Sequence, residues 1–245
     1  MKILGIIPAR FASSRFPGKP LIDIAGRSMI QHVYERSRLA SSLADVVVAT
    51  DDERIAQTVR DFGGESITTS TDHQSGTDRC AEVALAIPGY DAVINIQGDE
   101  PFIDPEQIDL VAKQLLKSGT QIATLIKKIQ DPSQLFDPNT PKVVIRTNGE
   151  ALYFSRTPIP YQRNYLAEEW LAHHTYYRHI GIYGYATNVL AELTKLPVSL
   201  LETTEQLEQL RWLEHGYRIQ TAITELETVA VDTPEDLERI KKLYL

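Results

Sequence analysis

Residues 8–20, Pro-Ala-Arg-Phe-Ala-Ser-Ser-Arg-Phe-Pro-Gly-Lys-Pro, gather Arg10, Arg15, Lys19 and two serines into one short stretch. The stretch follows directly on the apolar run Ile3–Ile7, so a buried strand is expected to empty into it. Ligands of open α/β sheets sit beyond the carboxyl ends of the strands. Local positive charge with fixed N–H donors there suits a polyphosphate. A solvated basic turn would use the same residues.

A second segment, Val93-Ile-Asn-Ile-Gln-Gly-Asp-Glu-Pro101, delivers Gln97, Gly98, Asp99 and Glu100 to the same sheet edge. Gly98 permits a close approach to the backbone. Asp99 is placed to hold Mg²⁺, which takes one or two carboxylates plus phosphate oxygens; a turn capped by an aspartate is the plainer alternative. A partner carboxylate is available in Val231-Asp-Thr-Pro-Glu-Asp236. There Thr233 as N-cap, Pro234 at N1 and Asp236 at N3 account for a helix start without Asp232. Asp232 is therefore free to point elsewhere, unless it serves only the helix dipole. In Asp72-His-Gln-Ser-Gly-Thr-Asp-Arg79, Ser75, Gly76 and Thr77 offer small donors for a nucleobase edge, or an ordinary turn and N-cap.

The elements that must position these residues follow from periodicity. Strand-like runs at Ile3–Pro8, Asp45–Thr50, Glu65–Thr69, Ala92–Gln97 and Ile122–Ile126 alternate with amphipathic stretches at Met29–Ser41, Glu53–Phe62, Asp78–Ile87 and Pro105–Lys117. That pattern predicts βαβ units: an α/β fold with a mainly parallel sheet flanked by helices. From about residue 127, Asp131-Pro, Asp137-Pro-Asn and Thr140-Pro mark turns. Val143–Arg146, Ala151–Phe154 and Ile180–Tyr185 then read as strands without helices between them. Residues 127–190 are expected to form a smaller sheet-rich lobe inserted in a single domain spanning 1–245. Its crowded tyrosines suit a sugar pocket or a dimer interface. A helix Leu201–His215, a strand Arg218–Ile223 and a helix from Pro234 complete the chain.

Composition narrows the function classes. The 245 residues are 42% hydrophobic and carry a net charge of −8, which disfavours extended nucleic-acid binding. The single cysteine, Cys80, excludes an internal disulfide and a cysteine-cluster zinc site. His173, His174 and His179 do not have the spacing of a common zinc site. Ile3–Ile7 is too short for a secretory segment, and no stretch reaches the ~20 apolar residues of a membrane span. A soluble, cytoplasmic protein is expected.

Seven segments occur in order: Pro8-Ala-Arg-x5-Phe-Pro-Gly-Lys-Pro20, His73-Gln-Ser-Gly-Thr-Asp-Arg79, Gln97-Gly-Asp-Glu-Pro101, Tyr153-Phe-Ser-Arg156, Arg178-His-Ile-Gly-Ile-Tyr-Gly-Tyr185, Leu207-Glu-Gln-Leu-Arg211 and Val231-Asp-Thr-Pro-Glu-Asp-Leu237. Together, over essentially the whole chain, they resemble the CMP-Kdo synthetases (3-deoxy-manno-octulosonate cytidylyltransferases). The resemblance implies a nucleotide-diphospho-sugar-transferase-like fold whose lobe serves dimerisation. It also implies an enzyme joining CTP to the sugar acid Kdo, releasing pyrophosphate and CMP-Kdo for lipopolysaccharide synthesis. On it, Ala9, Arg10, Ser13 and Lys19 would bind phosphates and nucleotide, with Ser75, Gly76 and Arg79 around cytosine and ribose. Asp99 and Asp232 would hold Mg²⁺. Gln97, Arg156, His179, Tyr183, Glu208 and Gln209 would form the sugar-acid side, with Arg156 the expected partner of the carboxylate. Arg10, Lys19, Asp99 and Asp232 would carry catalysis, in a homodimer. One departure is Ala186, where relatives often carry arginine.

Competing readings are a cytidylyltransferase for 8-amino-Kdo or a nonulosonic acid, and a nucleotide-sensing protein without turnover. A nicotinamide dehydrogenase shares the βαβ pattern, but the first strand leads to Pro-Ala-Arg rather than Gly-x-Gly-x-x-Gly.

Overall fold

Alternation within the first strand, β1 (Ile3–Ala9), decides the layering. Ile3 and Ile7 enter one apolar cluster, and Leu4 and Ile6 enter another on the opposite face. A strand buried on both faces needs helices on both. The structure is a computed structural model that describes residues 1–12, 16–227 and 229–244.

After β1 come a small hairpin, β2 (Asp23–Ile24) and β3 (Arg27–Ser28), then α1 (Met29–Ser37), β4 (Asp45–Thr50), α2 (Glu53–Asp61), β5 (Ser66–Thr68), α3 (Gly76–Ala86), β6 (Ala92–Asn95), α4 (Pro105–Leu115) and β7 (Ile122–Lys128). There follow α5 (Pro132–Phe136), β8 (Lys142–Ile145), β9 (Ala151–Ser155), α6 (Trp170–His173) and β10 (Tyr177–Ala186). The chain ends through α7 (Thr187–Leu193), α8 (Leu200–Glu205), α9 (Gln209–Glu214), β11 (Ile219–Ile223) and α10 (Pro234–Tyr244). The helices start where the chemistry says they should. Ser28, Asp52, Ser75 and Asp104 each accept a first-turn N–H, and Ser75 with Asp78 forms a reciprocal capping box.

The main sheet runs β11-β7-β10-β6-β1-β4-β5. Every neighbouring pair is parallel except those made by β10, which runs against both β6 and β7. The expected mainly parallel α/β fold is what the chain adopts. The carboxyl ends of β1, β4 and β6 therefore lie on one edge. α1, α2 and α4 cover one face; α3, α7 and α9 cover the other. Cys80 is fully buried on α3, and burial pushes its thiol pKa up. Among the described residues, no helix is long and apolar enough to cross a membrane.

Within residues 127–190, β8 and β9 form a hairpin that joins the main sheet through β10, and β10 itself lies centrally in that sheet. Two short helices, α5 and α6, occur where only strands were expected, the first capped by Asp131. The helix expected over Leu201–His215 is broken. Gln206 takes a left-handed conformation (φ 53°), ending α8 before α9 begins. No glycine or proline marks that break in the sequence.

Gly184 of β10 lies under α4, where an added Cβ would stand 2.6 Å from Val111 Cγ1 and 2.7 Å from Leu115 Cδ1. Gly184→Ala is expected to cost ~1–3 kcal/mol by overpacking, read as a Tm lowered by about 2–4 °C for each kcal/mol. An unchanged Tm in calorimetry would mean that α4 shifts away without cost.

Candidate active site

A cavity of about 560 Å³ opens at the carboxyl edge of β1 and β6, a size that suits a nucleotide or sugar ligand. Pro8, Ala9 and Arg10 line it where β1 ends, with Asn95, Gln97, Gly98 and Asp99 where β6 ends. The two chain segments touch. A Cβ on Gly98 would lie 2.7 Å from the Pro8 carbonyl oxygen, which neither backbone could relieve.

One end of the cavity is ionic. The Lys19 ammonium donates to Asp99 Oδ2 at 2.8 Å and to Asp232 Oδ1 at 3.1 Å. Burial works to lower the Lys19 pKa, but the two carboxylates outweigh it and hold it above the ordinary value. Asp232 reaches this point from the far end of the chain. Val231 donates its N–H to the Asp99 carbonyl at 2.9 Å, and its buried side chain packs with Ile24, Met29, Leu237 and Ile240. Thr233 and Asp236 cap α10 reciprocally, as the sequence implied; the Asp232 N–H also donates to the Asp236 carboxylate at 3.1 Å, while Asp232 lines the cavity and its carboxylate accepts from Lys19.

The other end is more deeply buried. Glu208 accepts from Thr77 Oγ1 at 2.8 Å. Burial raises its pKa, and bonds from Thr77 and Ser75 offset this only in part. Tyr183 lies beside it, edge-on to Trp212 with ring centres 5.1 Å apart. Burial, and then the Glu208 charge, push the Tyr183 phenol well above its ordinary pKa. Gln97 crosses to donate to the Gly181 carbonyl at 2.9 Å. Arg79, fully buried, forms a wall of the cavity; its guanidinium donates to Asp51 Oδ2 at 2.9 Å and to Thr69 Oγ1.

The cavity thus brings together Ala9, Arg10, Lys19, Gly76, Arg79, Gln97, Asp99, Tyr183, Glu208 and Asp232 of the residues expected from sequence. Ser13 lies outside the described residues. Ser75, His179 and Gln209 do not line the cavity. His179 contacts the Thr124 hydroxyl at 3.0 Å, and burial pushes its ring pKa down to about 3, so the ring is neutral.

Arg156 also lies outside this lining. Its three guanidinium nitrogens donate to main-chain carbonyls: Nε to Glu205, Nη1 to Pro138 and Nη2 to Gln206. Asn95 was missed. A polar residue inside the apolar run Val93–Ile96 was the available signal, since a buried amide needs a reason. Asp51, which holds Arg79, also escaped notice, although it directly follows β4 on the same sheet edge.

The Asp99–Asp232 pair suits a magnesium ion. The two carboxylates converge on one cation position, which Lys19 shares, and Mg²⁺ commonly takes only one or two carboxylates with phosphate oxygens. Among the described residues, no cluster of three or more His, Cys, Asp or Glu is arranged for a metal.

The cytidylyltransferase family profile matches residues 4–220. The 3-deoxy-manno-octulosonate cytidylyltransferase of Parabacteroides distasonis is 55% identical over 244 residues, covering 98% of this chain and 96% of that protein. The chain belongs to the 3-deoxy-manno-octulosonate cytidylyltransferase family. The Geobacter sulfurreducens enzyme of the same name is 50% identical over 246 residues, covering 98% of each chain. A solved CMP:2-keto-3-deoxy-manno-octonic acid synthetase complexed with CTP superposes with a TM-score of 0.93 at 44% identity, covering 99% of this chain and 98% of that one. A 4-diphosphocytidyl-2C-methyl-D-erythritol synthase from Anaerococcus prevotii shares the fold alone, with a TM-score of 0.63 at 14% identity over 98% of this chain and 97% of that one.

Glu208 gives this site a pH signature. A carboxyl whose folded pKa is raised contributes stability that is present below the unfolded pKa and lost as pH rises through the folded one. Glu208→Gln, an uncharged isostere, is therefore expected to gain on the parent between pH 4.5 and pH 8, by about 2–4 °C in Tm for each kcal/mol relieved. A Tm difference that stays constant across that range would mean that Glu208 carries no burial penalty.

Proposed function

We propose that the chain joins CTP to 3-deoxy-manno-octulosonate, forming the CMP-sugar acid and releasing pyrophosphate for lipopolysaccharide synthesis. The observation that carries this reading is the meeting of Lys19, Asp99 and Asp232 at one end of a cavity whose other end holds Glu208 and Tyr183. The relatives' names supply the substrates. In the reaction, the anomeric hydroxyl of the sugar acid attacks the α-phosphorus of CTP. A new P–O bond forms as the bond to the bridging oxygen breaks, and pyrophosphate leaves in line.

Arg10, exposed at the mouth, and Lys19 face the phosphates and stabilise charge on the departing pyrophosphate. Gly76 and Arg79 lie beside the nucleoside, and Gln97, Tyr183 and Glu208 orient the sugar acid. Asp99 and Asp232 would hold Mg²⁺, which supplies neutralisation of phosphate charge and a lower pKa for the attacking hydroxyl. No protein general base is required. The same reading makes the protein a cytoplasmic homodimer joined through residues 127–190, where Phe136, Leu152, Tyr161, Tyr165 and Leu166 carry exposed apolar surface.

The test is pyrophosphate release with CTP, Mg²⁺ and a panel of Kdo, 8-amino-Kdo and sialic acid, repeated with UTP and ATP. Turnover with CTP and Kdo is expected to exceed every other combination; preference for another sugar acid would reassign the substrate. Asp99→Asn and Asp232→Asn are each expected to lower kcat by roughly 10²–10³, the usual loss of one preorganised charge contact. Near-normal turnover in either would remove that residue from the metal role.

A further inference from the structure

Phe11 follows Arg10 on the chain that leaves β1, and its carbonyl accepts from the Gly18 N–H at 3.0 Å. That bond ties together the two stems from which Arg10 and Lys19 enter the cavity. The Phe11 ring is partly buried against the main apolar cluster. Gly18 passes close to it: at φ 72°, an added Cβ would stand 3.2 Å from two ring carbons. Glycine meets both demands, since it adopts the left-handed conformation freely and leaves room for the ring.

Arg54, in the first turn of α2, completes the arrangement from a different βα unit. Its guanidinium carbon lies 3.3 Å from the centre of the Phe11 ring, which places the cation over the aromatic face. Asp52 holds the guanidinium there through two bonds, from Nε at 2.9 Å and from Nη2 at 2.6 Å, while also capping α2 by accepting the Arg54 N–H. A planar guanidinium can pair with a carboxylate along its edge and stack on a ring with its face. α2 also packs beside the one-turn helix Lys19–Leu21. Neither Arg54 nor Asp52 lines the cavity.

The two cations at the phosphate end are thus placed by different means. Lys19 is bonded to Asp99 and Asp232. Arg10 is exposed just beyond the last residue of β1, so its direction depends on the residue that follows it, and that residue is Phe11. We propose that Arg54 is a positioning residue for the phosphate end of the cavity: held on Asp52, it clamps the Phe11 ring beside Gly18 and so fixes the chain that carries Arg10. The assignment rests on the cytidylyltransferase reading above, in which Arg10 and Lys19 serve the phosphates of CTP.

Steady-state pyrophosphate release by the full chain tests it, with CTP varied at saturating sugar acid and then the reverse. Arg54→Ala is expected to raise the CTP KM about three- to fivefold, the yield of an exposed cation–π contact, and to leave the sugar-acid KM within about 1.5-fold. Arg54→Lys keeps a cation but not the paired bonds to Asp52, and is expected to recover part of the loss. Phe11→Leu keeps apolar bulk without an aromatic face, and is expected to raise the CTP KM similarly. Adding Arg54→Ala to it is expected to cost less than about 1.5-fold more, because residues acting through one another are not additive. Arg60→Ala removes an equal charge from the last turn of the same helix and is expected to leave both KM values unchanged.

An unchanged CTP KM in Arg54→Ala overturns the proposal. So do a sugar-acid KM that rises as much as the CTP KM, and multiplicative effects in the double variant. An equal rise in Arg60→Ala overturns it too, because charge on α2 rather than the stacked ring would then be acting. Should Phe11→Leu fail to fold by circular dichroism, Phe11→Met carries the same comparison. If the unaltered chain released no pyrophosphate with any sugar acid, the functional reading would fall instead. Arg54 would then be judged by calorimetric binding of magnesium pyrophosphate, with weaker binding by Arg54→Ala expected; equal binding, or none by the unaltered chain, would overturn it.

Discussion

Two carboxylates drawn to one ammonium set the terms for the rest of this site. Unit charges about 4 Å apart interact by roughly 4 kcal/mol near a protein surface, so a cation bonded to both Asp99 and Asp232 offsets the repulsion between them. Lys19 supplies it, from a one-turn helix that follows Gly18. The backbone reinforces the arrangement. Val231 bonds to the carbonyl of Asp99 itself, and a small apolar cluster anchors the chain on either side of Asp232. The close passage of Gly98 under Pro8 brings the loop bearing Asp99 against the end of β1.

The two ends of the cavity solve opposite electrostatic problems. At the Lys19 end, charges of opposite sign compensate each other at the solvent edge. At the Glu208 end, burial favours neutral forms: the carboxyl and the neighbouring phenol have raised pKa values, and the His179 ring behind them is held uncharged. The reversed strand β10 contributes to the second end. It pairs Tyr183 with Asn95 and brings Gly181 to Gln97, so one strand set against the parallel sheet furnishes part of the cavity wall.

Much of this was legible in the residues. Alternating apolar runs and amphipathic stretches gave the α/β layering, because a strand buried on both faces and a helix buried on one leave different periods. The helix cap around Thr233 left the Asp232 carboxylate unused, and in the structure it accepts from Lys19 while its N–H joins the cap. What escaped notice depended on contacts distant in sequence. The break at Gln206 carries no glycine or proline, since the strain is met by Arg156, 50 residues away. The bonds from Arg156 to the end of α8 were not legible either, because a guanidinium that recognises an anion and one that caps a helix use the same donors. Asn95 was hidden by its apolar neighbours, and Asp51 by looking like the start of an ordinary turn.

Cys80 has a practical consequence. It is the chain's sole thiol, lies fully covered within α3, and is held in its protonated, unreactive form. A cysteine introduced on the hairpin of β8 and β9 would thus react with a maleimide dye far faster than the native one. Fluorophores or spin labels can therefore be attached at chosen points of this molecule without first stripping out its own sulfhydryl.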